Sequence, residues 1–223
     1  MQLAALYSGG KDSTYAVWRA LQEGHEVQLL AFVPENQDSY MFHHPNISWT
    51  RLQAEAMGLP LQLVATKGEK EGELADLEEA LRDLGVRGVA AGALASTYQK
   101  SRVERICGRL GLQVFAPAWG RDPLGYWQEL LAAGFRVMIT KVACDGLGKD
   151  WLGRVVDRAA LEELAKLAQR YRFHLAFEGG EAESFVLDCP LFRQQVEVRA
   201  GQVRWDGETG VYEIVRAELA AKG

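Results

Sequence analysis

The sequence predicts an α/β protein: a doubly wound parallel sheet followed by a smaller C-terminal α+β subdomain. Three observations predict it. Up to about residue 135, short apolar runs alternate five times with stretches of helical period. That is the mark of strands buried on both faces with helices between them. A glycine pair, in Ser8-Gly9-Gly10-Lys11-Asp12-Ser13, separates the first apolar run from the first helical stretch. After residue 135 the alternation stops, and glycine turns between apolar segments take over. The division that follows is an N-terminal α/β domain over 1–135 and a substrate-binding subdomain over 136–223.

Each element has its own justification. Gln2–Tyr7 is an apolar first strand, and Thr14, Val17, Trp18 and Leu21 recur at the spacing of one helix face. Gly24 ends that helix. Val27–Val33 is a second strand, followed by a long connection, 34–46, that carries two histidines, two aromatics and several amides. It leaves the carboxyl end of a strand, where open α/β sheets bind ligands. Ser48–Met57 is a short helix stopped by Gly58 and Pro60, and Leu61–Ala65 is strand three. Leu74, Leu77, Leu81 and Leu84 give the apolar face of the third helix. Gly88–Ala91 is strand four, and the small residues Gly92-Ala93-Leu94-Ala95-Ser96 form a second tight strand-to-helix turn. Val103, Ile106, Cys107 and Leu110 face the core from helix four, Gln113–Phe115 is strand five, and 117–123 turns into a further helix. Arg136–Val142 is a strand, Leu161, Leu164, Ala165 and Ala168 mark a helix, and short strands dominate from Phe173, with a hairpin turn at Asp206-Gly207.

Composition narrows the function. The chain has 223 residues and a net charge of −5, which argues against a general nucleic-acid binder. No apolar run approaches the ~20 residues of a membrane span. The first strand starts at once, with no signal peptide ahead of it. Cys107, Cys144 and Cys189 are widely spaced and make no metal pattern, as expected of a reduced, cytoplasmic protein. The sequence leaves the oligomeric state open, a homodimer included.

A glycine pair at a helix N-terminus is suited to phosphate, because backbone N–H groups turn inward and the helix dipole favours negative charge. Lys11 adds a mobile cation, and Ser8 and Ser13 add hydroxyls. The spacing is not that of G-x-x-x-x-G-K-[ST]. The hexapeptide instead resembles the PP-loop, SGGXDS, of N-type ATP pyrophosphatases, which cleave ATP between the α and β phosphates and pass AMP to an acceptor. Asp12 serves either Mg²⁺ or loop geometry, and Gly92 and Ala93 occupy the next ligand-facing strand end.

The second unusual stretch is Glu178-Gly179-Gly180-Glu181-Ala182-Glu183-Ser184, ahead of the apolar strand Phe185–Leu187. Three carboxylates this close repel one another unless cations or a ligand compensate. They suit Mg²⁺ or a cationic substrate. With this segment the chain resembles the diphthine–ammonia ligase (diphthamide synthase) family in its short archaeal-type form. The resemblance also rests on Leu6 to Ser13, Ser39 to His43, Gly92 to Ser96, Pro117 to Arg121, Trp151 to Arg154, and Val186 to Phe192. The chain departs from the family pattern where Phe177 replaces a usual glycine, Ala182 a usual phenylalanine and Ser184 a usual threonine.

The resemblance implies a HUP-like, adenine nucleotide alpha hydrolase-like sheet and a ligase acting on elongation factor 2. ATP, with Mg²⁺, would adenylate the diphthine carboxylate, and ammonia would displace AMP to give diphthamide. Tyr7, Ser8, Gly9, Gly10, Lys11, Asp12, Ser13, Gly92 and Ala93 would then bind the nucleotide. Tyr40, Met41, His43, Ser96, Trp119, Glu178, Gly179, Gly180, Glu181, Glu183 and Ser184 would meet the acceptor, with Lys11, Asp12 and Glu183 catalytic and Asp12 on the metal. No cysteine sits on a glutaminase-type elbow, so free ammonium is the expected donor. Two other functions compete: a tRNA-modifying adenylase or thiolase, and a non-catalytic nucleotide-binding module.

Overall fold

The computed structural model describes residues 1–34, 46–66, 70–92 and 97–223, without the side chains of 34, 70–73 and 97–100. Five parallel strands form the first sheet: β1 (Gln2–Leu6), β2 (Glu26–Pro34), β3 (Leu61–Thr66), β4 (Gly88–Ala90) and β5 (Gln113–Phe115), in the order β3-β2-β1-β4-β5. Leu3, Ala4, Leu29, Leu30, Val89 and Ala90 are fully buried, which explains the unbroken apolar runs. The chain winds outward one way through β2 and β3, then the other way through β4 and β5. The point of reversal lies between β1 and β4, where such sheets open a ligand crevice at their carboxyl ends.

Helices cover both faces, as the alternation requires. On one face, α1 (Lys11–Gln22) and α2 (Thr50–Met57) bury Tyr15, Val17, Ala20, Ala54 and Met57. On the other, α3 (Lys70–Asp83) and α4 (Thr97–Leu110) bury Leu77, Leu81, Val103, Ile106 and Cys107 against Ala4, Leu30, Phe32 and Val89. The helix expected from Ser48 begins with a 3₁₀ turn at Ile47–Trp49.

The second sheet is antiparallel. β6 (Arg136–Val142) is its hub and pairs with β7 (Val155–Val156), β8 (Ala182–Asp188) and β10 (Gly210–Ala220); β10 also pairs with β9 (Gln195–Trp205). The strands expected here were short, yet β9 and β10 each run for 11 residues. Their turn is where the sequence put it, with the Asp206 carboxylate accepting the N–H groups of Glu208 and Thr209 at 2.9 and 2.7 Å. β8 starts at Ala182, so Glu183 and Ser184 lie within the strand rather than ahead of it.

The two sheets share one core. It runs from Leu3 and Tyr15 through Trp127 and Leu130 of α5 (Pro123–Ala132) to Ile139, Phe185 and Leu164 of α6 (Arg158–Tyr171). Hydrogen bonds stitch the join. Asn46 donates to the Tyr212 carbonyl at 2.9 Å and accepts from the Ile214 N–H at 2.8 Å. The Trp49 indole donates to the Ile214 carbonyl at 2.9 Å, and the Arg193 N–H to that of Ala56 at 2.7 Å.

Candidate active site

The 8–13 loop joins β1 to α1 beside the reversal point. Gly9 has φ +80°, and a Cβ there would lie 2.5 Å from Gln53 Oε1, so both conformation and space require glycine. The fully buried Gln53 donates from Nε2 to the carbonyls of Gly9 at 2.9 Å and Val186 at 2.8 Å. The Val186 N–H also donates to Gly9 O, at 2.9 Å. The loop is thus tied to the second sheet through β8. The Lys11 N–H, at the start of α1, donates to Ser184 Oγ at 3.2 Å. Ser8 and Ser13 place their hydroxyls 3.2 Å apart. The Tyr7 hydroxyl shares a hydrogen bond with Thr14, and burial raises its pKa.

Lys11 is not the mobile cation expected from the sequence. It is 2% exposed; its Nζ donates to Asp12 Oδ2 and to the Ala176 carbonyl, each at 2.7 Å. It also lies 5.2 and 5.5 Å from the ring centres of Phe177 and Trp127. Asp12 is half-buried, and its other oxygen accepts the Tyr126 hydroxyl at 2.9 Å. Burial raises the Asp12 pKa, Lys11 opposes the rise, and the charge of Glu178 adds to it. Gly92 packs directly on this turn: a Cβ there would sit 2.4 Å from the Asp12 carbonyl carbon.

A cavity of about 270 Å³ opens over these residues. Its apolar lining includes Leu6, Leu30, Phe32, Ile47, Val103 and Val114. Its polar lining includes Ser8, Gly10, Lys11, Asp12 and Ser13 from one side of the chain and Glu178, Glu183 and Ser184 from the other. Tyr7, Gly92, Phe177 and Gly180 also border it.

The three carboxylates of the 178–184 segment have separate surroundings, which resolves their expected repulsion. Glu178 is half-buried on the cavity wall. Glu181 directs both oxygens to backbone, accepting the N–H groups of His174 and Gly179 at 2.8 Å each, and closes the turn. It does not border the cavity, and neither does Gly179, though both were expected to meet the acceptor. Glu183 accepts from Lys141 at 2.9 Å, its neighbour across the β6–β8 ladder. Among the described residues no three metal-ligating side chains converge on one point. Asp12 and Glu178 would suit an ion held mainly by phosphate oxygens, as Mg²⁺ usually is. Phe177 holds φ +66°, a conformation natural to glycine.

Trp119, expected to face the acceptor, is half-buried in the turn after β5 and does not border the cavity. Tyr40, Met41, His43, Ala93 and Ser96 lie outside the described residues. Sequence reasoning passed over Gln53, Tyr126, Trp127 and Lys141. Of these only Lys141 carried a signal, as a lone cation at the end of an apolar strand.

Two family models match the chain, one after the other. A model of the diphthamide synthase N-terminal domain matches residues 1–114, and one of the diphthamide synthase C-terminal domain matches residues 122–220. The chain belongs to the diphthamide synthase family. A human relative named diphthine–ammonia ligase is 38% identical over 227 residues, covering 91% of this chain and 85% of that protein. A zebrafish (Danio rerio) relative of the same name is 35% identical, covering 90% and 87%. In Schizosaccharomyces pombe the relative of that name is 32% identical and much longer; the match covers 88% of this chain and 36% of that protein. In diphthamide synthase terms, the N-terminal domain brings the 8–13 loop and the C-terminal domain brings 177–184. The Lys11–Ser184 and Gly9–Val186 hydrogen bonds join them.

Proposed function

We propose that this chain is an ATP-dependent ligase that converts the carboxylate of diphthine on elongation factor 2 into its amide, with ammonia as the nitrogen source. One observation carries the reading: a phosphate-type loop and an acid-bearing strand from the other domain border the same cavity and bond to each other. In the first step a carboxylate oxygen attacks the α-phosphorus of ATP, and the bond to the bridging oxygen breaks, releasing pyrophosphate. In the second, ammonia attacks the acyl carbon, the bond to AMP breaks, and the new amide nitrogen loses a proton. Oxide is a poor leaving group and AMP a good one, which is why the carboxylate needs ATP.

Catalysis of the first step is chiefly stabilisation of charge. The hydroxyls of Ser8 and Ser13, which border the cavity, would face that charge, and Lys11 is within a side chain's swing of it. Asp12 and Glu178 would be the carboxylates to hold Mg²⁺, which would supply positive charge to neutralise the phosphates. The apolar lining around Leu30, Phe32 and Val103 suits a flat base. Lys141 holds Glu183 in place at the border of the cavity.

The cysteines speak against the sulfur-transfer alternative. Burial pushes the thiols of Cys107 and Cys144 up to about 11 and that of Cys189 to about 12. A sulfur carrier needs the opposite shift. A cytoplasmic location accords with these three free thiols. Among the described residues no helix is long and apolar enough to cross a membrane.

The test is reconstitution with diphthine-bearing elongation factor 2, ATP, Mg²⁺ and ammonium, reading the acceptor by mass and the nucleotide by chromatography. Amide and AMP in equal amounts are expected. AMP formation that requires tRNA, or no amide at all, would overturn the reading.

A further inference from the structure

The surroundings of the Lys11 ammonium form a small, built site. Its Nζ meets one carboxylate oxygen of Asp12, the Ala176 carbonyl and the faces of Phe177 and Trp127. The walls are fixed from behind. The Trp127 indole donates to the Leu175 carbonyl at 2.9 Å, and the Phe177 N–H to that of His174 at 2.7 Å. Together these bonds set the direction of the Ala176 carbonyl between them. The Tyr126 hydroxyl holds the Asp12 carboxylate from its far side.

We propose that this nest is the binding site for the ammonium substrate, and that the Lys11 ammonium is its occupant only while no triphosphate is bound. The proposal rests on the reading that ammonia is the nitrogen donor. A lysine in a phosphate loop has two competing anionic partners: the nest carboxylate and the nucleotide. It cannot serve both. When the triphosphate draws Lys11 away, a half-buried carboxylate, a carbonyl and two ring faces lose their cation. Free ammonium has the same charge and the same N–H donors as the group that left, and ring faces attract it without needing a lone pair. Sodium and potassium prefer a shell of several oxygens, and the nest offers two. The site also opens in the right place, because Lys11, Asp12 and Phe177 all border the cavity where the acyl-adenylate would form.

Two measurements test it. The first needs no turnover. Lys11→Ala empties the nest, and thermal melting is followed in ammonium, potassium and sodium chloride at equal ionic strength. Ammonium should raise the melting temperature of Lys11→Ala by about 2–4 °C above sodium, saturably. It should do nothing specific to the wild type, whose nest is filled, or to Lys11→Ala/Asp12→Asn. An equal response to potassium, or no ammonium-specific response, overturns the assignment. The second keeps the loop intact. Phe177→Leu preserves apolar bulk and backbone conformation but removes one ring face. With saturating ATP and acceptor, its KM for ammonium should rise about tenfold, while its KM for ATP stays within about twofold. An unchanged ammonium KM overturns the nest and leaves the ligase reading standing. If the wild type makes no amide, the ligase reading falls and the melting experiment still decides the nest.

Discussion

Lys11 reaches across 165 positions of sequence to place its ammonium 2.7 Å from the Ala176 carbonyl. The contact couples the phosphate loop of one domain to the turn leading into the acid-bearing strand of the other. It also sets a size limit. The Lys11 side chain, 2% exposed and flanked by Phe177, Trp127 and Asp12, is packed as a compact ammonium, and a planar guanidinium is larger.

Lys11→Arg should therefore behave unlike an ordinary exchange of cations. Overpacking a filled interior costs about 1–3 kcal/mol, so urea unfolding should show that loss, and AMP production should be abolished. Full stability together with full activity in Lys11→Arg would show that the side chain does not rest where it is described.

Ser184 should act as a join between the domains. Its Oγ accepts the first N–H of α1, which otherwise has no partner inside its own helix. Ser184→Ala should cost about 1 kcal/mol, as loss of a helix cap does, and should raise the KM for ATP. Ser184→Thr keeps the hydroxyl and should keep both properties. Equal effects of the two substitutions on melting temperature and KM would refute the role.

Gly92 and Gly108 make a matched pair. A methyl group on Gly92 would press into the Asp12 backbone, with contacts of 2.4 and 2.6 Å to its carbonyl. Neither chain can yield without moving the phosphate loop. On Gly108, in α4, a methyl group would meet nothing within 4 Å. Gly92→Ala should destabilise the protein and weaken ATP binding, as read by calorimetry. Gly108→Ala should stabilise it by up to about 1 kcal/mol and leave ATP binding unchanged.

The contrast between those glycines shows what could be read from the sequence. The parallel sheet was legible because strands buried on both faces cannot avoid being apolar throughout. The phosphate loop was legible because its chemistry is local: turn, glycines and helix start lie within six residues. The place of Lys11 was not, since Ala176 and Phe177 meet it only through the fold. Nor could the sequence separate Glu181, whose oxygens hold backbone, from Glu183, which pairs with Lys141. The two look alike as letters and differ in where the fold puts them: Glu181 closes the turn ahead of β8, whereas Glu183 lies within the strand. Tyr126 and Trp127 carried no signal in the sequence. They are fully buried in α5, and their polar atoms do work that no pattern of letters reveals.

Tyr126 gives the sharpest test of Asp12. Burial and the Asp12 charge push the phenol pKa well up, so it stays protonated and remains a donor to Asp12 Oδ1. That bond favours the ionised carboxylate, while burial, the larger effect, opposes it and leaves the Asp12 pKa raised. Tyr126→Phe removes the bond and should raise the Asp12 pKa further. If the ionised form is the active one, the acid limb of kcat/KM for ATP should move to higher pH. On the alkaline side of the limb the rate should return close to wild type. The stability linkage runs the other way. A folded-state pKa above the unfolded value adds stability that is complete below the unfolded pKa and fades as pH rises through the folded one. Acidification across the limb thus removes activity while this group strengthens the fold, and circular dichroism should stay native there. A merely structural role for Tyr126 predicts a different result: a rate lowered equally at every pH, with the limb where the wild type has it.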